Sequence, residues 1–241
     1  MRLKLTLEYD GTGFHGWARQ PGLRTVEETL RGALDVTFPA WSGLAVAGRT
    51  DAGVHALAQI ASVDTEGGPP AENAAEPLNT VLPDDMAVLE AAPAEEDFHA
   101  RFSALSRSYR YRVLARRVRS PLAARRALWW PRPVDVAALG AASALLHGEH
   151  DFRAFTPTES QHQVFHRNVH TAAWERDGDV LDFVVTADGY LRHMVRTLVG
   201  TMLELGPDAP SRMEELLRGR AREEAGLTAP PWGLYLERVE Y

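Results

Sequence analysis

The sequence contains no cysteine, so disulfides, thiolate zinc sites, iron–sulfur clusters and cysteine nucleophiles are excluded. It also lacks an apolar run of transmembrane length. The first four residues alternate apolar and polar side chains, which is unlike a signal peptide. We therefore expect a cytoplasmic protein that has no membrane partner.

Lysine is almost absent, because all of the 26 basic residues except Lys4 are arginine. The net charge of −7 argues against a nucleic-acid partner, but the charges are unevenly distributed. Residues 64–97 carry ten acidic and no basic side chains, whereas residues 98–134 carry ten arginines and no acid. A solvated charged face is the ordinary interpretation, but the absence of any acid among these arginines favours phosphate binding. Residues 98–134 are called the basic stretch below.

The chain has 241 residues, of which 45% are hydrophobic and 24% charged. This composition is typical of a soluble globular protein, and the length allows one large domain or two small ones. Local patterns predict the order strand, helix, strand, strand, helix, strand in the first half. Alternating leucines mark the first strand, and Thr25 with Glu28 forms a capping box for the first helix. The predicted strands are 3–9, 44–47, 54–63 and 86–91, and the predicted helices are 26–38 and 72–81.

The second half repeats this order. Asp135 is a predicted helix cap, Asp177 and Gly178 predict a hairpin, and Gly206 ends a helix. The predicted strands are 109–114, 169–174, 180–187 and 234–241, and the helices are 135–148, 191–205 and a shorter one that begins at Ser211. Two such repeats predict an α+β fold of tandem ferredoxin-like halves, residues 1–100 and 101–241, with a linker between 93 and 108.

The most informative stretch runs from Leu44 to Ala56. Two apolar runs, both predicted to be buried strands, flank the tight connection Arg-Thr-Asp-Ala-Gly. Asp51 could be an ordinary turn residue, since Asp and Gly are common in turns. However, Arg49 precedes it by two residues and His55 follows it by four. A charged cluster on a short loop between strands is typical of a functional site.

Two other patterns leave alternatives open. Tyr109 lies on one strand face with Tyr111 and Val113, so it could be either core or site. Five histidines between His147 and His170 suggest a metal site, but no carboxylate or cysteine completes a familiar ligand set. Exposed or RNA-facing histidines are therefore favoured over metal ligands.

The string from Gly48 to Ala56 resembles the signature of the tRNA pseudouridine synthase A (TruA) family. Further blocks in the family's order are Tyr9-Asp10-Gly11, Gly16-Trp17, Asp97-Phe98-His99-Ala100-Arg101-Phe102-Ser103, Tyr109-Arg110-Tyr111, His193-Met194-Val195-Arg196 and Gly233-Leu234-Tyr235-Leu236. The resemblance implies two halves joined into a mixed sheet, with RNA crossing a central cleft. It also implies a homodimer that isomerises uridines at positions 38–40 of the tRNA anticodon stem-loop, without a cofactor or a metal.

The resemblance implies a role for each candidate site residue. Asp51 is the catalytic carboxylate, acting either as a nucleophile at C1′ or as a base at C2′. Arg196 pairs with this carboxylate, Arg49 helps to displace the target base, and Tyr109 stacks on it. His55 either contacts RNA or fixes the Asp51 loop.

Two rival functions remain from the sequence alone. A non-catalytic RNA-binding protein on the same scaffold would ordinarily display exposed aromatics on its sheet rather than an Arg-Thr-Asp loop. A carboxylate hydrolase would need a second acid, and none lies near Asp51 in the sequence.

Overall fold

The computed structural model describes residues 1–160 and 162–241. The strands are β1 (Arg2–Tyr9), β2 (Ala40–Val46), β3 (His55–Glu66), β4 (Met86–Pro93), β5 (Ser106–Leu114), β6 (Leu128–Trp129), β7 (Gly148–Asp151), β8 (His166–Asp177), β9 (Val180–Ala187) and β10 (Leu234–Glu240). The helices are α1 (Val26–Thr37), α2 (Ala75–Val81), α3 (Val136–Ala144), α4 (Met194–Leu205) and α5 (Ala209–Leu216). Within the described ranges, no helix has the length and apolar character needed to cross a membrane.

The contacts divide the chain into two compact units. Unit 1 comprises residues 1–105 and 235–241, and unit 2 comprises residues 106–234. The boundary between Leu105 and Ser106 falls within the predicted linker. The last strand belongs almost entirely to unit 1, whereas the repeat pattern placed it in the second half.

In unit 1, β1 lies between β3 and β4 and is antiparallel to both. The other edge of β3 is shared by β2, which is antiparallel, and by β10, which is parallel. The order β4, β1, β3, β2 is that of a ferredoxin-like unit and confirms the predicted element order. Leu3, Leu5 and Leu7 of β1 are completely buried, as their alternation predicts.

Helix α1 follows from its sequence. Its buried residues, Val26, Leu30, Ala33 and Leu34, lie on one face. The Thr25 side chain accepts a hydrogen bond of 3.3 Å from the backbone N–H of Glu28, which confirms the predicted cap. The Glu28 carboxylate itself forms an ion pair with Arg19.

In unit 2, the sheet order is β5, β9, β8, β7, and every neighbouring pair in it is antiparallel. The predicted hairpin joins β8 to β9, with Gly178 at a φ of +57°. Strand β6 pairs in parallel with β5. Asp135 caps α3 by accepting a 3.0 Å hydrogen bond from the N–H of Ala138. The predicted α+β class is thus confirmed.

Three predicted details are wrong. Strand β2 is not buried: it lies at the sheet edge, and each of its residues is exposed or half-buried. Helix α4 begins at Met194 rather than at residue 191, because His193 has a left-handed φ of +62°. Helix α5 begins at Ala209, before the predicted start at Ser211, and Asp208 occupies its N-cap position.

Candidate active site

Asp51 lies on the short loop between β2 and β3, as predicted. The loop is closed by a 3.1 Å hydrogen bond from the N–H of Val54 to the carbonyl of Asp51. Gly53 takes a φ of +80°, which favours glycine. Asp51 is half-buried between Thr50, which is buried, and Ala52, which is exposed. The loop therefore holds a partly accessible carboxylate on a fixed turn.

The segment that follows β1 packs against this loop. The N–H of Trp17 donates to the carbonyl of Thr50 at 3.0 Å, and the N–H of Gly53 donates to the carbonyl of Phe14 at 3.2 Å. A Cβ on Gly11 would lie 2.0 Å from the Val54 carbonyl oxygen. Two of the blocks that carry the family resemblance thus support the loop directly.

Gly11 begins a Gly-x-Gly-x-x-Gly string that ends at Gly16. This spacing is shared with dinucleotide-binding turns, in which the string opens a helix. Here α1 begins only at Val26, and a Cβ on Gly16 would lie 2.9 Å from the Thr50 carbonyl oxygen. The glycines therefore permit close approach of two loops and do not form a nucleotide-binding turn.

Buried polar groups lie beneath the loop. The hydroxyls of Tyr9 and Thr50 are 2.8 Å apart. The Gln59 side-chain amide donates to the Tyr9 hydroxyl at 3.3 Å and to the Gly48 carbonyl at 2.6 Å. Burial, which disfavours the phenolate, raises the pKa of Tyr9 to about 12, even though the side-chain hydrogen bonds with Thr50 and Gln59 lower it.

His55, the first residue of β3, is only 2% exposed. Its Nδ1 accepts a 3.1 Å hydrogen bond from the N–H of Gly11 and lies 3.1 Å from an Asp10 carboxylate oxygen. Since an atom that accepts from Gly11 has no proton for Asp10, the second approach is a contact rather than a hydrogen bond. The imidazole also stacks on Tyr235 of β10, with ring centres 4.7 Å apart. This environment favours a role in fixing the loop over a role in contacting RNA.

Arg49 is exposed on the same loop. Across residues 1–160 and 162–241, its guanidinium forms no hydrogen bond and no ion pair. An exposed arginine two residues from a half-buried carboxylate is available to bind an anionic ligand.

Tyr109 lies on β5 in unit 2 and is 8% exposed. Its ring meets Tyr190 edge to face, with centres 4.9 Å apart. The Tyr190 hydroxyl donates to the carbonyls of Val185 and Arg107, at 2.9 and 3.0 Å. Tyr111, interpreted as packing, is completely buried. The setting of Tyr109 fits both core packing and a fixed stacking surface at its exposed edge.

Arg196 is the third residue of α4 and is half-buried. Its Nε donates to the carbonyl of Ala229 at 2.8 Å, and the N–H of Ala229 donates to the carbonyl of Arg196 at 3.0 Å. A cation in the first turn of a helix is disfavoured by the positive end of the helix dipole. The hydrogen bond to Ala229 holds the guanidinium of Arg196 in place in spite of this dipole.

The five predicted site residues fall in two groups. Asp51, Arg49 and His55 lie together on one loop and the start of β3 in unit 1. Tyr109 and Arg196 lie in unit 2, on β5 and α4. Tyr9 and Gln59 lie beneath the loop, and the sequence analysis did not name either of them as a site residue. A glutamine within the apolar run 54–63 was the signal that could have identified the second of these.

The basic stretch is not free of acids in the folded chain. Arg110 and Arg112 both pair with Asp182 of β9, at 3.0 and 2.9 Å. Arg116 lies 3.5 Å from Asp179 at the tip of the hairpin. Asp182 is 72 residues from Arg110 and 70 from Arg112 in sequence, so local counting missed this pairing.

Three arginines of the basic stretch have no hydrogen-bond or ion-pair partner among the described residues, and one of them, Arg132, lies over the Trp130 ring at 5.2 Å. Arg117 and Arg119 are both exposed. In the described part of the chain, neither guanidinium has a hydrogen-bond or ion-pair partner. They are the strongest candidates for phosphate contacts.

The histidines between His147 and His170 do not gather around one point. His150 contacts the carbonyl of His147 at 2.9 Å, and Nε2 of His162 accepts from the N–H of Arg192 at 3.3 Å. Among the described residues, no three His, Cys, Asp or Glu side chains are placed to hold a metal ion.

A family model described as tRNA pseudouridine synthase matches residues 6–103 and 142–241. The unmatched span contains Tyr109, Arg117 and Arg119. Proteins named tRNA pseudouridine synthase A align over nearly the entire chain. The relative from Nitrosococcus oceani is 43% identical and covers 100% of this chain and 94% of its own. The relative from Moorella thermoacetica is also 43% identical, with 99% of each chain covered.

Among solved structures, a Cbf5-Nop10-Gar1 complex aligns with 97% of this chain and 48% of its own. The identity is 12% and the TM-score is 0.42, which is too low a similarity to carry an argument about this site.

Proposed function

The chain belongs to the tRNA pseudouridine synthase family, and we propose that it acts on the anticodon arm of tRNA with Asp51 as its catalytic carboxylate. As a member of this family it is an isomerase that converts uridines in tRNA to pseudouridines. The uridines proposed as its substrates are those at positions 38–40. The observation that carries the catalytic assignment is the half-buried Asp51 on a loop fixed from three sides.

The reaction breaks the bond from C1′ to N1 of uridine and forms a bond from C1′ to C5. The C5 proton is lost and N1 gains one, so the product is an isomer and neither a redox partner nor a group donor is required. A carboxylate near the sugar can attack C1′ or remove the C2′ proton. Asp51 carries out one of these two steps, and its partial exposure leaves room for the sugar of a flipped nucleotide.

The other site residues act around Asp51. Arg49, exposed on the same loop, displaces the target base and contacts its phosphate. Tyr109 provides an aromatic surface for the flipped uracil. Arg196 pairs with the Asp51 carboxylate in this proposal, as the family resemblance implies. His55, at 2% exposure, supports the loop rather than touching RNA.

The tRNA is held by phosphate contacts away from the reacting base. Arg117 and Arg119 make such contacts, because they are exposed and have no acidic partner in the described part of the chain. We further propose a homodimer, in which one tRNA spans both subunits. Pairing doubles a small basic surface on an acidic protein with net charge −7. The molecular mass in solution, measured with and without tRNA, tests this arrangement.

The substrate assignment is tested with unmodified tRNA transcripts and purified protein. Pseudouridine should appear in the anticodon arm, and replacing the three target uridines with cytidines should remove the product. Pseudouridine that persists elsewhere in this triple-substituted tRNA would contradict the proposed target. A transcript with uridines replaced in the acceptor stem is the matched control and should be modified normally.

A further inference from the structure

The buried groups beneath the Asp51 loop have a defined hydrogen-bond direction. Gln59 is completely buried, and the orientation of its amide is fixed by two neighbours. Its nitrogen lies 2.6 Å from the Gly48 carbonyl oxygen, which can only accept. Its oxygen lies 3.2 Å from the N–H of Ile60, which can only donate. The flipped amide would place two acceptors together and two donors together.

The direction continues through Tyr9. The Gln59 amide nitrogen donates one hydrogen to the Gly48 carbonyl and the other to the Tyr9 oxygen at 3.3 Å. The Tyr9 oxygen thus accepts from Gln59, and Tyr9 is only 3% exposed. If Thr50 also donated to Tyr9, the Tyr9 proton would be left without an acceptor in a buried place, which is unfavourable. Tyr9 therefore donates to Thr50 over the 2.8 Å separation.

Thr50 is the last residue in this series of hydrogen bonds, which runs from Gln59 through Tyr9. Its oxygen accepts from Tyr9, so its own proton is left to point away from the core. Within the described ranges, the Thr50 hydroxyl has no partner other than Tyr9. The Thr50 carbonyl is fixed separately by the N–H of Trp17 at 3.0 Å. Thr50 is thus held by both its side chain and its backbone, directly before Asp51.

Gly48 and Thr50 flank Arg49. Gln59 binds the Gly48 carbonyl and Tyr9 binds the Thr50 hydroxyl, so both belong to the same series of buried hydrogen bonds. A change in either hydrogen bond would shift the loop that carries the carboxylate. We propose that Tyr9 and Gln59 are positioning residues for the reaction and act on Asp51 through Thr50 and Gly48. This inference rests on the proposed catalytic role of Asp51. A small displacement of a catalytic group costs much more in rate than in binding, so the effect should appear in the chemical step.

Tyr9→Phe is the first test, because it removes one hydroxyl and keeps the ring. The single-turnover rate of pseudouridine formation should fall about tenfold. The dissociation constant for tRNA should stay within about twofold, since affinity depends mainly on phosphate contacts. Tyr241→Phe is the matched control, because the Tyr241 hydroxyl also donates a partly buried hydrogen bond in unit 1, to the Ala100 carbonyl at 2.8 Å. The control should keep the wild-type rate.

Thr50 supplies a second test that leaves the Tyr9 and Gln59 side chains unchanged. Thr50→Ser keeps the hydroxyl and should remain close to wild type in rate, whereas Thr50→Val should lose about as much as Tyr9→Phe. The double variant of Tyr9→Phe and Thr50→Val should be no slower than the slower single variant, because both interrupt one chain. Additive losses, or equal rates for Tyr9→Phe and Tyr241→Phe, would overturn the inference.

The same measurements separate this inference from the proposed function. An active Asp51→Asn variant would contradict the catalytic assignment, whatever Tyr9→Phe does. An inactive Asp51→Asn variant together with a fully active Tyr9→Phe variant would leave the catalytic assignment standing and would contradict the positioning role alone.

Discussion

At the residue scale, the position of Asp51 depends on groups from three other segments. The backbone of the 11–17 segment binds the loop from one side, through Phe14 and Trp17. Tyr9 and Gln59 hold it from beneath. The family motif singled out Asp51 and Arg49 from the sequence, and their roles in the reaction stay predictions. Their supports could not be predicted, because strand pairing brings them together from positions about 40 or 50 residues apart.

Asp51→Asn should abolish pseudouridine formation and leave folding nearly unchanged. The amide keeps the shape and most of the hydrogen-bonding capacity of the carboxylate but removes its charge and nucleophilicity. Because Asp51 is only half-buried, the melting temperature should stay within about 2 °C of wild type. Turnover, melting temperature and tRNA affinity should be measured on one preparation.

Asp84→Asn is the matched control, since Asp84 is an exposed carboxylate on another turn of unit 1. It should keep full activity. If Asp51→Asn retained activity within about tenfold of wild type, the carboxylate would be a turn residue only.

Tyr9 should also contribute to the pH dependence of stability. Its pKa is raised to about 12 by burial, above the ordinary value of about 10. The folded state therefore keeps a proton that the unfolded state loses, so this stability is complete below pH 10 and is lost as the pH rises towards 12. Between pH 9 and 11.5, the free energy of unfolding should fall less in Tyr9→Phe than in wild type, by roughly 2 kcal/mol.

Urea denaturation at a series of pH values measures this difference. The remaining alkaline loss in Tyr9→Phe is expected from Tyr111 and Tyr190, whose pKa values are also raised, chiefly by burial. Parallel curves for the two proteins would show that the Tyr9 hydroxyl ionises as readily in the folded state as in the unfolded chain.

At the scale of elements, the sequence predicted the strands and helices that are marked by alternation, caps or turn residues within a few positions of one another. The leucine alternation of β1, the cap and apolar face of α1, and the turn between β8 and β9 were all confirmed. The exposure of β2 was not predicted, because an apolar run of four residues is compatible with both an edge and a central strand. The place of β10 beside β3 was not predicted either, since the pairing of Tyr235 with His55 spans most of the chain.

Close approach of the 11–17 segment to the Asp51 loop should make Gly11 intolerant of a side chain. A Cβ there would lie 2.0 Å from a backbone oxygen, so one of the two segments must move. Gly11→Ala should lower the free energy of unfolding by about 2 kcal/mol or more. It should also slow pseudouridine formation, because the loop moves with Val54. Urea denaturation and single-turnover assays check the two effects.

Gly32 in α1 provides the opposite case with the same substitution. Among the described residues, no heavy atom outside its own helix lies within 4 Å of a Cβ built there. Gly32→Ala should raise the free energy of unfolding by up to about 1 kcal/mol, because alanine favours helix, and activity should not change. Equal effects of the two substitutions would contradict the close packing of these loops.

At the scale of the whole molecule, the charge pattern along the sequence and the charge pattern of the folded chain differ. The basic stretch has no acid within it, yet Asp182 neutralises two of its arginines through strand pairing. Sequence counting therefore overestimated the charge available for RNA. The count could not be corrected without the register of β5 on β9, in which Arg112 faces Asp182.

Among the arginines of the basic stretch, we expect Arg117 and Arg119 to contact phosphate, because both are exposed and neither has an acidic partner in the described residues. Each phosphate contact contributes about one unit to the slope of log affinity against log salt. Replacing both arginines with alanine should lower the magnitude of this slope by about 2, whereas Arg116, already near Asp179 at 3.5 Å, should contribute less. Titrations of tRNA at several salt concentrations measure the slope.

Arg212 and Arg218 provide the matched control, because replacing them with alanine removes the same charge from unit 2. Both already pair with glutamates, as Arg212 binds Glu224 at 3.0 Å and Arg218 binds Glu214 at 2.7 Å. Their replacement should leave the slope unchanged, since paired side chains release no counterions from RNA. An equal decrease in both double variants would indicate a general effect of net charge. An unchanged slope in the Arg117 and Arg119 variant would show that these arginines are a solvated face, and the phosphate contacts would have to lie elsewhere on the protein.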